Sequence, residues 1–270
     1  MRSTICALLL LLFPAATYGA EPDFEVDFSG NGRIQSFAYF KQGTDNLIDT
    51  VIRLEGQMLR YRRTFFVFRF ENETDMGKGV QPEMPFDPNR GRWTFGVESR
   101  TELEKNYFAL FLRHDCYHGI DRYFPGEDYK MSAAGVGFGS SGYLEKNRFR
   151  DVHDSAAALE FPLQFNYGLS GGVYLPRGTF WQRSPYGARV EAGLRFDLLR
   201  WKRLGLGVES INVFYATHSN QLQRLHELDV NLFLYGTAHA LRAFFAWWPH
   251  DSQVLRRRDG RTVVGLELSL

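Results

Sequence analysis

Apolar and polar residues alternate along most of the chain, and helical spacing is hard to find in it. Between Tyr186 and Leu198, one face carries Tyr186, Ala188, Val190, Ala192, Leu194, Phe196 and Leu198. The other carries Arg189, Glu191, Arg195 and Asp197. Phe66, Phe68 and Phe70 oppose Arg69, Glu71 and Glu73; Trp93, Phe95 and Val97 oppose Thr94, Glu98 and Arg100. Leu228, Val230, Leu232 and Leu234 alternate with Asp229 and Asn231, and the chain ends on Val264, Leu266, Leu268 and Leu270 set against Glu267 and Ser269. Side chains two apart share a face of a strand, so each segment predicts a strand with one apolar and one polar side.

Thirteen segments of this kind can be drawn: 33–41, 46–56, 61–73, 92–101, 106–118, 128–138, 155–166, 169–177, 187–199, 203–216, 226–236, 239–248 and 260–270. The polar faces hold charges of both signs at matched spacing, as in Arg69/Glu71, Glu98/Arg100 and Arg189/Glu191. Such ladders suit a narrow, wet interior in which neighbouring strands pair their charges, with the apolar faces against lipid. A soluble barrel of the lipocalin kind inverts this arrangement and has only about eight strands. The expectation is an all-β, antiparallel, up-and-down transmembrane β-barrel. A single-chain barrel with both ends on one side needs an even strand number. One false segment leaves about 12 strands; a further strand at 142–150, after Gly139-Ser140-Ser141-Gly142, gives about 14 as the alternative.

Composition fits that picture. Aromatic residues make up 16% of the chain, with 24 Phe and 13 Tyr, as apolar outer walls and interfacial girdles require. The mean hydropathy is slightly negative, yet a barrel hides from that average because its two faces alternate. Residues 1–20 have a different character: Arg2, an apolar run from Ile5 to Phe13, then Ala15, Ala16, Thr17, Gly19 and Ala20. This is the layout of a secretory signal peptide, which leaves 21–270 as a single barrel domain. Cys6 lies too early for a lipoprotein cleavage box, so no lipid anchor is expected. Beyond the leader no apolar run approaches the ~18 residues a membrane helix needs.

The 32 basic residues include Arg2 of the leader, so the remaining chain balances its 31 acidic residues. That balance argues against nucleic acid as a partner. Cys116 is the only cysteine outside the leader, so no internal disulfide is available and stability rests on strand pairing and packing.

Chemistry concentrates in Arg113-His114-Asp115-Cys116-Tyr117-His118-Gly119-Ile120-Asp121. His114, Cys116 and His118 continue the apolar row Phe108, Leu110, Leu112. If that row faces lipid, Arg113, Asp115 and Tyr117 face the lumen. A thiol flanked by imidazoles could be a nucleophile with its base, or a zinc ligand set, or a tolerated polar strand end at headgroup height. The candidate catalytic residues are His114, Cys116, His118 and Asp121; no metal or cofactor is assigned. Asp45-Asn46 and Asp75 to Gly79 could hold an ion, and read more simply as polar turns. In Gly135, Gly137 and Gly139 the spacing reads as relief of crowding on a curved wall.

Two resemblances attach to these residues. The alternating last strand is similar to that of bacterial outer-membrane barrels, which insertion machinery reads; there the final residue is usually aromatic, where this chain has Leu270. The His114-x-Cys116 pair resembles the His-x-Ser of outer-membrane phospholipase A, a twelve-stranded barrel acting at its lipid-facing wall. That likeness implies His114 as base, Cys116 in the serine's place and Asp128 as acceptor, and the surrounding Asn-His-x-Ser-Asn-Gly is absent. His114, Cys116, His118 and Asp121 also resemble the His-x-Ser-Ser-His-x-Gly-Asp-Glu stretch of a family of exported barrels without an assigned activity, with Gly119 and Ile120 transposed. The implied location is the outer membrane of a Gram-negative-type cell, with membrane lipids and the insertion machinery as partners. Three function classes follow: a non-catalytic envelope or binding role, which the sequence favours; a lipid-active acyl hydrolase using His114 and Cys116; and a small channel.

Overall fold

The computed structural model describes residues 24–40, 48–77, 87–119, 129–144, 159–161, 163–176, 184–236, 239–253 and 259–270. The expected leader lies outside these residues. Thirteen strands are present among them: β1 (Phe24–Tyr39), β2 (Ile48–Tyr61), β3 (Thr64–Gly77), β4 (Asp87–Leu103), β5 (Asn106–Gly119), β6 (Tyr129–Ser140), β7 (Leu159–Glu160), β8 (Gln164–Tyr174), β9 (Tyr186–Trp201), β10 (Leu204–Thr217), β11 (Leu222–Tyr235), β12 (Ala240–Asp251) and β13 (Thr262–Ser269). A single helical turn, α1 (Ser141–Leu144), follows β6.

All strands but β7 form one antiparallel ring, in which each pairs with its neighbours in chain order and β6 pairs with β8 across the intervening segment. The ring closes between β1 and β13, where Arg33 stands opposite Ser269 and Tyr39 opposite Val263. Leu270 completes the seam by exchanging both backbone hydrogen bonds with Gly32. Closure leaves no unpaired edge in the wall, which a barrel in lipid requires. A strand of 14 residues, such as β2, rises about 45 Å and at the usual tilt crosses the ~30 Å hydrocarbon layer. Among the described residues no helix is long and apolar enough to cross a membrane.

The wall therefore has twelve strands, and the fourteen-strand alternative is corrected. Residues 155–166 and 169–177 read as two strands from their alternation. One wall strand, β8, runs from 164 to 174, and β7 is a two-residue piece against Arg200 and Trp201 at the foot of β9. Pro162, which has no N–H to give to a ladder, separates them, and Leu163 is left-handed at φ 43°. The proposed strand at 142–150 begins instead as α1, and 145–150 lie outside the described residues. Residues 74–77, beyond the expected segment 61–73, extend β3, and β4 begins at Asp87 rather than 92.

Which face is inside follows from burial. On β11, Val230 and Leu232 are about half exposed (48% and 50%), while Asp229 and Asn231 between them are at 7% and 1%. The same parity holds on β13, where Leu266 and Leu268 are exposed and Glu267 and Ser269 buried. Apolar rows thus form the outer wall and charged rows fill the lumen. A direct consequence is that Val230→Arg, an outward position closer to the middle of β11, should cost about 2–4 kcal/mol of barrel stability. Urea titration of the barrel folded in lipid vesicles reads this; a cost near zero would mean that the wall does not meet hydrocarbon.

Inside, arginines pair with carboxylates, some across neighbouring strands and some two residues along the same strand. Arg53 meets Glu71 at 2.7 Å, Arg69 meets Glu55 at 2.9 Å and Glu98 at 3.2 Å, and Arg100 meets Glu98 at 2.7 Å. Arg242 meets Glu267 at 3.0 Å, Arg195 meets Asp197 at 3.0 Å, and Arg189 pairs with Glu191. Arg53 and Arg69 keep about two-fifths of their side-chain surface in contact with the lumen, so their pairs are wet and each contributes little. The Arg195–Asp197 pair is nearly dry and its loss would be costly. Toward one end the belt gives way to an apolar cluster of Phe37, Tyr39, Val51, Phe244, Trp248 and Val263.

The two ends of the barrel differ. At one end lie two-residue turns, Arg62-Arg63, Glu104-Lys105 and Lys202-Arg203, and the first residue of each is left-handed. That backbone twist matches the twist of the flanking strands. The connection 141–163 leaves from the same end, and its α1 packs against β8 and β6. Tyr143 of α1 lines the lumen and lies against Gly168 and Gly193: a Cβ at Gly168 would stand 2.5 Å from its ring, and one at Gly193 would overlap its phenol oxygen. The glycines make room for a ring that narrows this end. Crowding relief also explains Gly135 and Gly139 of β6, whose added Cβ would strike Phe111 and Tyr107.

Candidate functional site

β5 carries the chemistry. It pairs with β4 on one side and β6 on the other, in unbroken register on both. Phe108 and Leu112 of β5 are exposed on the outer wall, whereas Tyr107, Ala109 and Asp115 are buried. By parity, His114, Cys116 and His118 belong to the outer row, half-buried near the end opposite the tight turns. Arg113, Asp115 and Tyr117 face the lumen.

The outer row is assembled as a relay. The Sγ of Cys116 lies 3.0 Å from Nε2 of His114, and the other ring nitrogen, Nδ1, lies 2.7 Å from Oγ of Ser132 on β6. Ser132 is the register partner of His114. A thiol, a ring touching it through one nitrogen, and a hydroxyl orienting that ring through the other is the geometry of nucleophile, base and orienter. His118 stands farther along the row with its ring 5.0 Å from that of Trp93, while Trp93 is the register partner of Cys116 on β4. The structure thus brings His114 and Cys116 together and sets His118 against an aromatic neighbour. Asp121, and Asp128 as the acceptor implied by resemblance, lie outside the described residues.

Ser132 went unforeseen in the sequence. β6 does alternate, with Lys130, Ser132, Ala134, Val136 and Phe138 on one row, and Val136 and Phe138 are exposed like the rest of the wall. Row membership was legible, but the height at which β6 meets β5 depends on the connection 120–128, whose length does not fix the register.

From the lumen side the same stretch of β5 is clamped. Asp115 accepts a hydrogen bond from Thr94 at 2.6 Å and from Arg113 at 2.8 Å, and Arg92 approaches it to 3.5 Å. Asp115 lies between His114 and Cys116 in the chain, so this inner network holds the backbone that presents both outer residues. Its own side chain is 3% exposed.

A second constellation sits in the lumen. Carboxylate oxygens of Asp49, Glu73 and Asp75 lie within 4.8 Å of one another, all buried. Protein donors already serve them: Tyr39 donates to Asp49 at 2.5 Å and Arg92 to Glu73 at 3.3 Å. Asp75, read from sequence as part of a turn, is a lumenal strand residue. The remaining lumen is a cavity of about 520 Å³ lined by arginines, glutamates and aromatic rings.

No protein-family model and no curated protein matches the chain. Solved structures do resemble it. The outer membrane phospholipase of Salmonella typhi superposes with a TM-score of 0.50 over 96% of this chain and 95% of that one, at 9% identity. Outer membrane phospholipase A of Escherichia coli gives 0.51 over 89% and 92%, at 8% identity. An outer membrane channel of Pseudomonas putida F1 gives 0.56 over 94% and 98%, at 9% identity. At such identities the likeness is one of fold, and the fold is that of outer-membrane β-barrels.

Proposed function

We propose that this outer-membrane barrel is a thiol-dependent lipid acyl hydrolase, working from its lipid-facing wall with the loop end of the barrel outward. The observation that carries the reading is the Cys116–His114–Ser132 relay on the outer row, with 3.0 and 2.7 Å contacts through the two nitrogens of one imidazole. The sequence alone favoured a non-catalytic role because a His-Cys-His row at a strand end has an undemanding explanation. Ser132 supports the catalytic reading: its hydroxyl on the far nitrogen fixes the orientation of the ring that touches the thiol.

In the proposed reaction His114 Nε2 accepts the thiol proton as Sγ attacks the carbonyl carbon of a lipid ester. The C–O bond breaks, His114 returns the proton to the departing alkoxide, and a thioester remains on Cys116. Water then gives a proton to His114 and attacks the thioester. The C–S bond breaks, fatty acid leaves, and Sγ recovers its proton. The step needs only lipid and water. A substrate arriving laterally from the membrane reaches the outer row without passing through the lumen.

The charged lumen supports no wide passage. Salt-bridged arginines occupy the mid-height and Tyr143 narrows the turn end, so conduction, where measured, is expected to be small. The test of the hydrolase reading is fatty-acid release from phospholipid vesicles containing the protein, compared with Ser132→Ala. Losing one neutral hydrogen bond to the base should lower kcat about tenfold and leave KM nearly unchanged. Equal turnover by both proteins would remove Ser132 from the relay.

A further inference from the structure

We propose that Lys130 and Trp93 flank Cys116 as a headgroup subsite that selects lipids carrying a phosphate; the inference rests on the hydrolase reading for the identity of the scissile ester. Register supplies the geometry. Cys116 of β5 stands opposite Lys130 of β6 on one side and opposite Trp93 of β4 on the other, all three on outer rows. One step toward the turn end the row reads Phe95, His114 and Ser132, and the next reads Val97, Leu112 and Ala134. The cross-section therefore changes within two steps from wholly apolar to one holding an ammonium, a thiol and an indole.

Among the described residues, Lys130 is the only Lys or Arg on the outer rows of β4, β5 and β6. A cation is excluded from the hydrocarbon layer and an indole prefers the headgroup boundary, so the two mark the height of that boundary at Cys116. Directly opposed Cα atoms on paired strands lie about 5 Å apart. A glycerophospholipid separates its phosphate from its nearer ester by two glycerol carbons, and adjacent strands carrying a cation and a nucleophile span that separation. The ammonium meets the phosphate as a flexible point charge. Trp93 stands on the strand at the other side of Cys116, with its ring against His118. Phosphate occurs both on glycerophospholipids and on the glucosamine core of lipid A, and either offers ester-linked acyl chains next to it.

The experiment uses the full chain as Cys116→Ala, which binds without turnover, in detergent micelles holding phosphatidylglycerol, lipid A or diacylglycerol. The lipid retained is quantified by native mass spectrometry. Adding Lys130→Met should lower the ratio of phosphate-bearing to phosphate-free lipid retained about fivefold, and adding Lys130→Arg instead should preserve it. Loss confined to phosphatidylglycerol or to lipid A names the source of the phosphate. An unchanged ratio in a Lys130→Met protein that still shows the heat-dependent gel shift of a folded barrel overturns the subsite. If the native chain releases no fatty acid while the ratio still falls, hydrolysis is refuted and the phosphate subsite stands.

Discussion

Cys116→Ala is expected to reduce fatty-acid release from vesicles by about 10⁴-fold or more, while leaving the barrel's stability close to that of the native chain. The magnitude follows from the way relays fail: nucleophile and base act as a unit, and removing the nucleophile forfeits nearly the whole rate advantage of the set. Stability should barely move because the thiol is half-buried on the outer row near a strand end, where truncation opens no closed cavity. Cys116→Ser places a hydroxyl against the same imidazole and should retain measurable turnover below the native rate. Chemical modification offers an independent check. A lipid-soluble maleimide should label Cys116 and silence the enzyme, whereas a membrane-impermeant maleimide should label it poorly. Native rates in Cys116→Ala would remove the thiol from the chemistry, labelling only by the impermeant reagent would place it in water, and either outcome ends the lipid-hydrolase reading.

The second large effect comes from inside the barrel. Asp115→Ala should destabilise the fold by about 3 kcal/mol, at the low end of the cost of breaking a buried ion pair. The carboxylate is almost fully buried, while Arg92 and Arg113 keep nearly a quarter of their surface toward lumen water, so the orphaned cations are partly resolvated. Asp115→Asn keeps an acceptor for Thr94 and should cost about 1–2 kcal/mol. Both substitutions should lower kcat without changing which lipids are accepted, since Asp115 touches no substrate and acts through the backbone that presents His114 and Cys116. Denaturant titration in vesicles paired with steady-state kinetics reads both quantities. Full stability in Asp115→Ala would mean that the inner clamp is unimportant.

Much of this molecule was legible from alternation alone, and the reason is geometric. A wall strand has two faces in two solvents, so Val230 and Asn231 cannot exchange roles and period two is written into every segment. Strand number was harder, because alternation does not distinguish a strand in the wall from one beside it: 155–166 has the pattern but contains Pro162. Which face is inside became clear only from burial. The outer row of His114, Cys116 and His118 was visible as a row, yet its chemistry depended on Ser132. That residue joins through the register of β6 against β5, a long-range property which no local pattern encodes. The lumenal carboxylates Asp49, Glu73 and Asp75 were hidden for the same reason, since the first comes from one strand and the others from its neighbour.

The seam between β1 and β13 also governs when the barrel can form. Arg33 must find Ser269, and Gly32 must find Leu270, although each pair lies near opposite ends of the sequence. The twelve wall strands can zip to their chain neighbours as hairpins form, but the ring has two raw edges until β1 meets the final strand, and joining distant segments is entropically slow. Ribosomal synthesis therefore cannot complete this fold progressively from its N-terminal side. The chain has to be held open, complete and edge-protected, before a single late event seals it, and every residue of the last strand is a participant in that event.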